Sequence, residues 1–184
     1  MRQLWFATSN DLKFKEASFI FKNEFGTKIK RFPAKGEEVQ AEEVSDIAFN
    51  AATKSWRTYR KPLFVEDTGF YISALNGFPG SYSAQAWKSV GSAGIIKLLH
   101  GVHNRKAKFV TAVVFVDGTR QILFTGELDG TIIDHPTTGW GFESLFIPDG
   151  MRSELGQMSL AEKAKISHRA QALRKLGKWL EING

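Results

Sequence analysis

The stretch VEDTGFYISALNGFPGSYS, residues 65–83, decides how this chain is read. Leu63–Val65 has the apolar, β-branched character of a short buried strand. Glu66 and Asp67 follow side by side, and then Thr68-Gly69 leads towards a Pro79-Gly80 turn. Adjacent carboxylates repel each other and lose hydration when buried, so stability alone does not ask for them. Successive strand residues point to opposite faces, and we place Asp67 towards a cleft with Glu66 on the other side. A carboxylate at a strand end before a glycine-containing loop lies where open α/β sheets bind ligands. The same Asp would also serve as a loop-capping turn residue.

Working outward, Leu4–Thr8 reads as a buried strand and the segment after Asp11 as a helix, with Phe14, Ala17, Phe21 and Phe25 at helical spacing and Gly26 as its stop. Lys28–Phe32 is a second strand, and Glu42–Tyr59 a helix broken by Pro62. A helix is expected around Gly94–His100. Phe109–Val116 and Gln121–Leu128 are strands joined at Asp117-Gly118, a hairpin signal. Ile132-Ile133 is a further short strand, and a final helix runs from about Ser159 to Leu180. Crossover-type and hairpin strands together argue for an α/β fold with a mixed sheet flanked by helices. At 184 residues, one domain over 1–184 is expected.

Composition excludes some classes. With 42% hydrophobic and 24% charged residues the chain has the make-up of a globular domain. No apolar run approaches the ~20 residues needed to cross a bilayer, and the start of the chain is too quickly polar for a signal peptide. No cysteine is present, which removes disulfides, thiolate metal sites and thiol nucleophiles and fits a cytoplasmic protein. A net charge of +6 suits an anionic partner. No basic tract or RNA-binding motif accompanies it, so neither nucleic acid nor membrane is expected as a partner. There is also no Walker A loop, Nudix box or G-x-G-x-x-G.

Three more segments carry candidate chemistry. Thr8-Ser9-Asn10-Asp11-Leu12-Lys13 runs from a strand into a helix N-terminus, whose free N–H groups and dipole suit phosphate. Ser9 or Asn10 would equally cap that helix. The acidic run Glu37–Glu43 offers a carboxylate that could join Asp67 around a hard divalent cation, or simply begins a helix with favourable charge. The third group is Gly139-Trp140-Gly141-Phe142-Glu143 with Lys163 and Ser167-His168-Arg169. Glycines around Trp140 let a flat ligand approach, and aromatics can stack on a purine; Trp140 and Phe142 could also be packing residues. Lys163 and Arg169 lie roughly 240° apart on a continuous helix, so reaching one ligand requires a bend or a new helix near Ser167.

In order and spacing these segments resemble the inosine triphosphate pyrophosphatase family of nonstandard purine nucleotide hydrolases. The matching motifs are T8-S-N10-D-L-K13, G36-E-E38-V-Q40, the whole of residues 65–83, G139-W-G-F142-E143 and K163-A-K-I-S167-H168-R169, and they span essentially the full chain. The resemblance implies an elongated mixed sheet with two lobes about a substrate cleft, and a homodimer. It implies hydrolysis of ITP, dITP and XTP to the monophosphate and pyrophosphate with Mg²⁺. Thr8, Ser9, Asn10 and Lys13 would hold the triphosphate, with Lys54 from N50-A-A-T-K54. Asp67 would be metal ligand and catalytic base, Glu38 the second metal ligand with Glu42 as fallback, and Thr68 a substrate contact. Trp140, Gly141, Phe142 and Glu143 would bind the base with Lys163, His168 and Arg169, the last two as donors to a 6-oxo group. The alternative is a nucleotide- or nucleic-acid-binding protein without hydrolysis. Glu143 stands where the family usually has Asp, and Gln85 where many relatives have Arg.

Overall fold

Polar Ser9-Asn10 ends the first strand, β1 (Trp5–Ala7), and starts the first helix, α1 (Asp11–Phe25). The computed structural model describes residues 3–34, 40–135 and 140–184. Asn10 caps α1 by accepting from the N–H groups of Leu12 and Lys13 at 2.9 and 3.1 Å. Gly26 closes the helix in the left-handed region at φ 60°. Strand β2 (Lys30–Phe32) lies parallel to β1. Helix α2 (Val44–Tyr59) then leads to β3 (Leu63–Ile72). A turn through the cis Phe78–Pro79 peptide gives the two-residue β4 (Pro79–Gly80). Helix α3 (Ser83–Leu98) follows, interrupted at Gly91. The long hairpin of β5 (Lys106–Val116) and β6 (Gln121–Ile132) precedes β7 (Phe146–Pro148). Helices α4 (Leu160–Ile166) and α5 (His168–Asn183) end the chain.

The sheet is mixed, in the order β2-β1-β3-β5-β6-β7, with β4 also paired to β3. Strands β1, β2 and β3 run parallel, whereas β5, β6 and β7 alternate in direction beyond them. Alternation along the central strands separates the two faces. Phe64, Val113 and Phe115 pack with Ala17, Ile20 and Phe21 of α1 and Leu173 and Leu176 of α5. Leu63, Val65, Ala112 and Val114 pack with Val44, Ala48 and Ala52 of α2. The far ends of β3 and β5 enter a third core, where Phe70, Ile72 and Phe109 meet Ile95 and Leu99, Phe142, Leu145 and Phe146. The long strands therefore connect two packed regions, and the cleft lies at their junction.

Several expectations are corrected by this arrangement. The strand Leu63–Val65 does not end at the acids. It continues to Ile72 because β5 pairs with it over the entire length, from Leu63↔Val116 to Ile72↔Ala107. The helix expected at Gly94–His100 is the part of α3 after the non-helical Gly91, and the unexpected addition is the helical segment from Ser83 before it; Ile132 closes β6 instead of starting a new strand. The single helix expected over Ser159–Leu180 is two helices. Ser167, with extended ψ of 151°, breaks it and caps α5 by accepting from Ala170 N–H at 3.1 Å. This is the bend that Lys163 and Arg169 needed. No helix among the described residues is long and apolar enough to cross a membrane.

Candidate active site

The acids of the opening stretch sit in a gap in the sheet. Strand β1 pairs with β3 only through Phe64, and β4 pairs with it only from Phe70 onward. Residues 65–69 of β3 thus have no strand neighbour on that edge among the described residues. Their edge is instead approached by Lys13, whose ammonium donates to the Glu66 carbonyl at 3.4 Å. Glu66, Asp67 and Thr68 therefore reach a cleft without ending their strand, because it is β1 that stops short.

A cavity of about 290 Å³ opens beside this gap, lined by Asn10, Lys13, Trp140, Glu143, Lys163 and Arg169 among others. Residues separated by up to 159 positions in sequence line one hollow, and all six were singled out from sequence. Leu12, Glu16, Met158 and Leu160, also in its wall, were not.

Six charged side chains interlock here. The Arg169 guanidinium donates through Nε to Glu66 Oε2 at 3.1 Å and through Nη1 to Glu16. Lys13 Nζ lies 3.5 Å from Glu66 Oε2, and Lys163 bridges Glu143 and, at 3.8 Å, Glu16. The Glu66 side chain is fully buried. Burial pushes its carboxyl up, but Arg169 and Lys13, with the hydrogen bonds from Thr68 and Arg169, outweigh this and bring it down to about 2. Burial works against the charge on Arg169 too, and Glu66, Glu16 and Glu143 overcome it, holding Arg169 protonated. Three cations thus face three carboxylates. Glu16 and Glu66 were missed as site residues. The only available signals were an acid one helical turn from Lys13 and a charge in an otherwise buried strand.

The two acids point to opposite faces of β3, as strand alternation requires. Glu66, with Phe64 and Thr68, lies on the α1/α5 face beside Lys13 and Arg169. Asp67, in phase with Leu63 and Val65, lies on the α2 face, the side that also carries Lys54. On that face the Tyr71 hydroxyl is pushed up to about 12 by burial and by the carboxylates of Glu43 and Asp67. Glu43 of the acidic run and Asp67 therefore act on one neighbourhood. Ser81 Oγ ties the same run down by donating to the Ala41 carbonyl at 2.5 Å. Glu42 is exposed just before α2; Glu38 lies outside the described residues, as does Gly139 of the tryptophan motif. No cluster of three metal-ligating side chains occurs among the described residues. Two acids with substrate phosphate and water nonetheless make a donor set that suits Mg²⁺.

The remaining predicted residues divide by burial. Trp140 is 57% exposed at the cavity. Phe142 is buried, stacked on Phe70 at 4.9 Å and edge-on to Trp87. Gly141 is buried in the left-handed region at φ 62°. Thr8 accepts from Asn10 N–H at 3.1 Å, and exposed Ser9 donates to the Ala34 carbonyl at 3.1 Å. His168 is wholly buried against Phe109, with ring centroids 4.8 Å apart.

Comparison with known proteins agrees with this geometry. Residues 4–179 match the Ham1 family. The dITP/XTP pyrophosphatase of Methanopyrus kandleri is 39% identical over 181 residues, covering 97% of this chain and 96% of its own. That of Thermococcus kodakarensis is 39% identical over 183 residues, covering 98% of each. The Staphylococcus aureus Ham1 protein superimposes over 100% of both chains with a TM-score of 0.81 at 25% identity. A HAM1 protein from Coxiella burnetii covers 98% of this chain and 99% of its own, with a TM-score of 0.82 at 22% identity.

Proposed function

The chain belongs to the Ham1 family, and from that premise we propose that it is a nucleoside triphosphate pyrophosphatase hydrolysing ITP, dITP and XTP to the monophosphate and pyrophosphate. The observation that carries this reading is the shared cavity. The N-terminus of α1 with Lys13, and the Trp140-Glu143-Lys163-Arg169 group, line one hollow beside the open edge of β3. One end suits phosphate and the other a flat base.

The N–H groups at the start of α1, with Asn10 and Lys13, receive the triphosphate; Thr8, Ser9 and Lys54 flank it. Asp67 accepts a proton from a water whose oxygen forms a bond to the α-phosphorus. The α–β bridging P–O bond breaks, its electron pair leaving with pyrophosphate, and the monophosphate remains. Mg²⁺, held by Asp67 and an acid of the 37–43 segment, would neutralise phosphate charge and act as a Lewis acid. Thr68, beside Asp67 on the open edge, contacts substrate. Trp140 stacks on the base, with Gly141 and Phe142 shaping the wall behind it. Because Lys13, Lys163 and Arg169 are already paired with carboxylates, the incoming phosphates must be balanced largely by metal and helix N-terminus.

Rejection of adenine follows from unpaired hydrogen-bonding groups, which cost more than a lost contact. A guanidinium has five N–H donors and the carboxylates engage three on Arg169, leaving capacity for a 6-oxo group. A homodimer is the assembly the family resemblance implies. Phe78, Tyr82, Val90 and Leu98, each more than 40% exposed on and before α3, are suited to an interface. A chain without cysteine suits action on the cytoplasmic nucleotide pool.

The test is incubation with Mg²⁺ and ITP, dITP, XTP, GTP or ATP, with pyrophosphate and orthophosphate measured separately. Pyrophosphate from the first three, with little from ATP, is expected. Equal cleavage of ATP and ITP, or orthophosphate as the product, would overturn the reading.

A further inference from the structure

The charges around the cavity do not cancel. Lys13, Lys163 and Arg169 are held by the carboxylates of Glu66, Glu143 and Glu16. The wall contains one further cation, Lys15 of α1. Among the described residues no carboxylate pairs with it. Asp11, one helical turn earlier, gives its carboxylate to Arg31 at 2.5 Å. The hydrogen bond and charge of Arg31 are what chiefly lower the Asp11 carboxyl, and Lys15 is the smallest influence on it. Glu16, next in sequence, turns instead to Arg169 and Lys163. One positive charge in the wall is therefore left over for whatever enters.

Lys15 stands at the mouth of the cavity. It is exposed, and Leu12, three residues before it on the same helix face, is 43% exposed. Leu160, at the start of α4, is 40% exposed and lines the same hollow with Trp140. A lysine stem lies readily along such apolar side chains while its ammonium stays free to move. The volume of about 290 Å³ is at the small end for a ligand pocket. A base stacked on Trp140 would fill much of it and come within reach of the Lys15 ammonium.

The bases of ITP, dITP and XTP differ in what they offer a free cation. Hypoxanthine carries only hydrogen at C2 and is neutral at neutral pH. Xanthine carries a second oxo group at C2, and its N3–H ionises slightly below neutral pH, which places negative charge along the N3 and 2-oxo edge. An ammonium has three donors and no acceptor, and its hydrogen bond to an ionised acceptor is about twice as strong as a neutral one.

We propose that Lys15 is a specificity-determining residue, whose ammonium pairs with the ionised 2-oxo edge of xanthine and so favours XTP over ITP and dITP. This rests on the reading of the cavity as the base site of a nucleotide hydrolase.

The test compares kcat/KM for XTP and ITP at pH 8 and pH 5 in the wild type, Lys15→Gln and Lys15→Arg. Binding of the monophosphates XMP and IMP is measured by calorimetry without metal, so that affinity is read apart from turnover. At pH 8 the XTP-over-ITP ratio should fall by about three- to tenfold in Lys15→Gln and recover in Lys15→Arg. At pH 5 the same substitution should change the ratio little, because the xanthine base is then mostly neutral. XMP binding should weaken more than IMP binding. Lys15 is exposed, so a thermal melt should show all three proteins folded alike. An unchanged ratio at pH 8 overturns the proposal. So does an equal loss for XTP and ITP, which would make Lys15 a phosphate contact. A protein that binds XMP over IMP through Lys15 yet hydrolyses no nucleotide would refute the activity while upholding the Lys15 assignment.

Discussion

Arg169 Nε lies 3.1 Å from the Glu66 carboxylate, with side-chain exposures of 6% and 0%. The two residues are 103 positions apart in sequence, and their pairing locks the start of α5 to the middle of β3. Loss of one partner in a buried pair leaves the other charge uncompensated, which typically costs about 3–5 kcal/mol. The cleft is thus stabilised by the same groups that line it.

Glu66→Gln keeps the shape but removes this charge, and it should destabilise the fold most near neutral pH. The Glu66 carboxyl is lowered from 4.5 to about 2, so on acidification the unfolded chain takes up this proton first. Its contribution is complete above about pH 4.5 and disappears as the pH falls towards 2, amounting to on the order of 3 kcal/mol. Denaturant unfolding of both proteins from pH 7 to 2.5 should show the gap between them narrowing below pH 4.5. A gap independent of pH would contradict the assignment.

Asp67→Asn tests the chemical step. Asp67 lies on the α2 face, away from the Arg169 network, so its replacement should leave the Arg169–Glu66 pairing and its pH-dependent contribution to stability in place. Loss of a positioned base typically reduces rate by about 10²–10⁴-fold. Pyrophosphate release and a thermal melt, measured together, separate the two effects; wild-type turnover in this variant would remove Asp67 from the mechanism.

Trp140→Ala tests the base end of the cavity. The indole is largely exposed, so stability should change by no more than about 0.5 kcal/mol. Stacking of a base on an aromatic ring contributes about 1–3 kcal/mol, and KM for ITP should therefore rise by about tenfold or more. An unchanged KM would place the base elsewhere.

Gly126→Ala tests whether the register of α5 matters to the site. A Cβ at Gly126 on β6 would overlap the His168 carbonyl oxygen and crowd Ala172 N. Both are backbone atoms, so α5 must shift at the residues that carry His168 and Arg169. A loss of about 1–3 kcal/mol is expected, with KM for ITP raised more than kcat is lowered. Unaltered kinetics with lowered stability would show that the site tolerates the shift.

Much of the fold was legible because its signals are local. Apolar periodicity marked α1 and α2, Asp117-Gly118 marked the β5–β6 hairpin, and the separation of Lys163 from Arg169 demanded the break that Ser167 supplies. Element limits were less legible. Nothing near Glu66 tells a reader that β5 will pair through it to Ile72. Glu16 was passed over because an acid on an exposed-looking helix turn is ordinary until Arg169 arrives from the other end of the chain.

By itself, the sequence determined the family, most of the order of strands and helices, and many of the residue types gathered around the cavity, since these depend on neighbours a few positions apart. Tertiary structure alone decided which acid faces which side. Period-two alternation guarantees that Glu66 and Asp67 point opposite ways, but which face receives α1 and α5 depends on long-range packing. It also decided that β1 would stop at Ala7 and leave residues 65–69 with an open edge. That opening allows two acids to sit inside a strand and still meet a ligand.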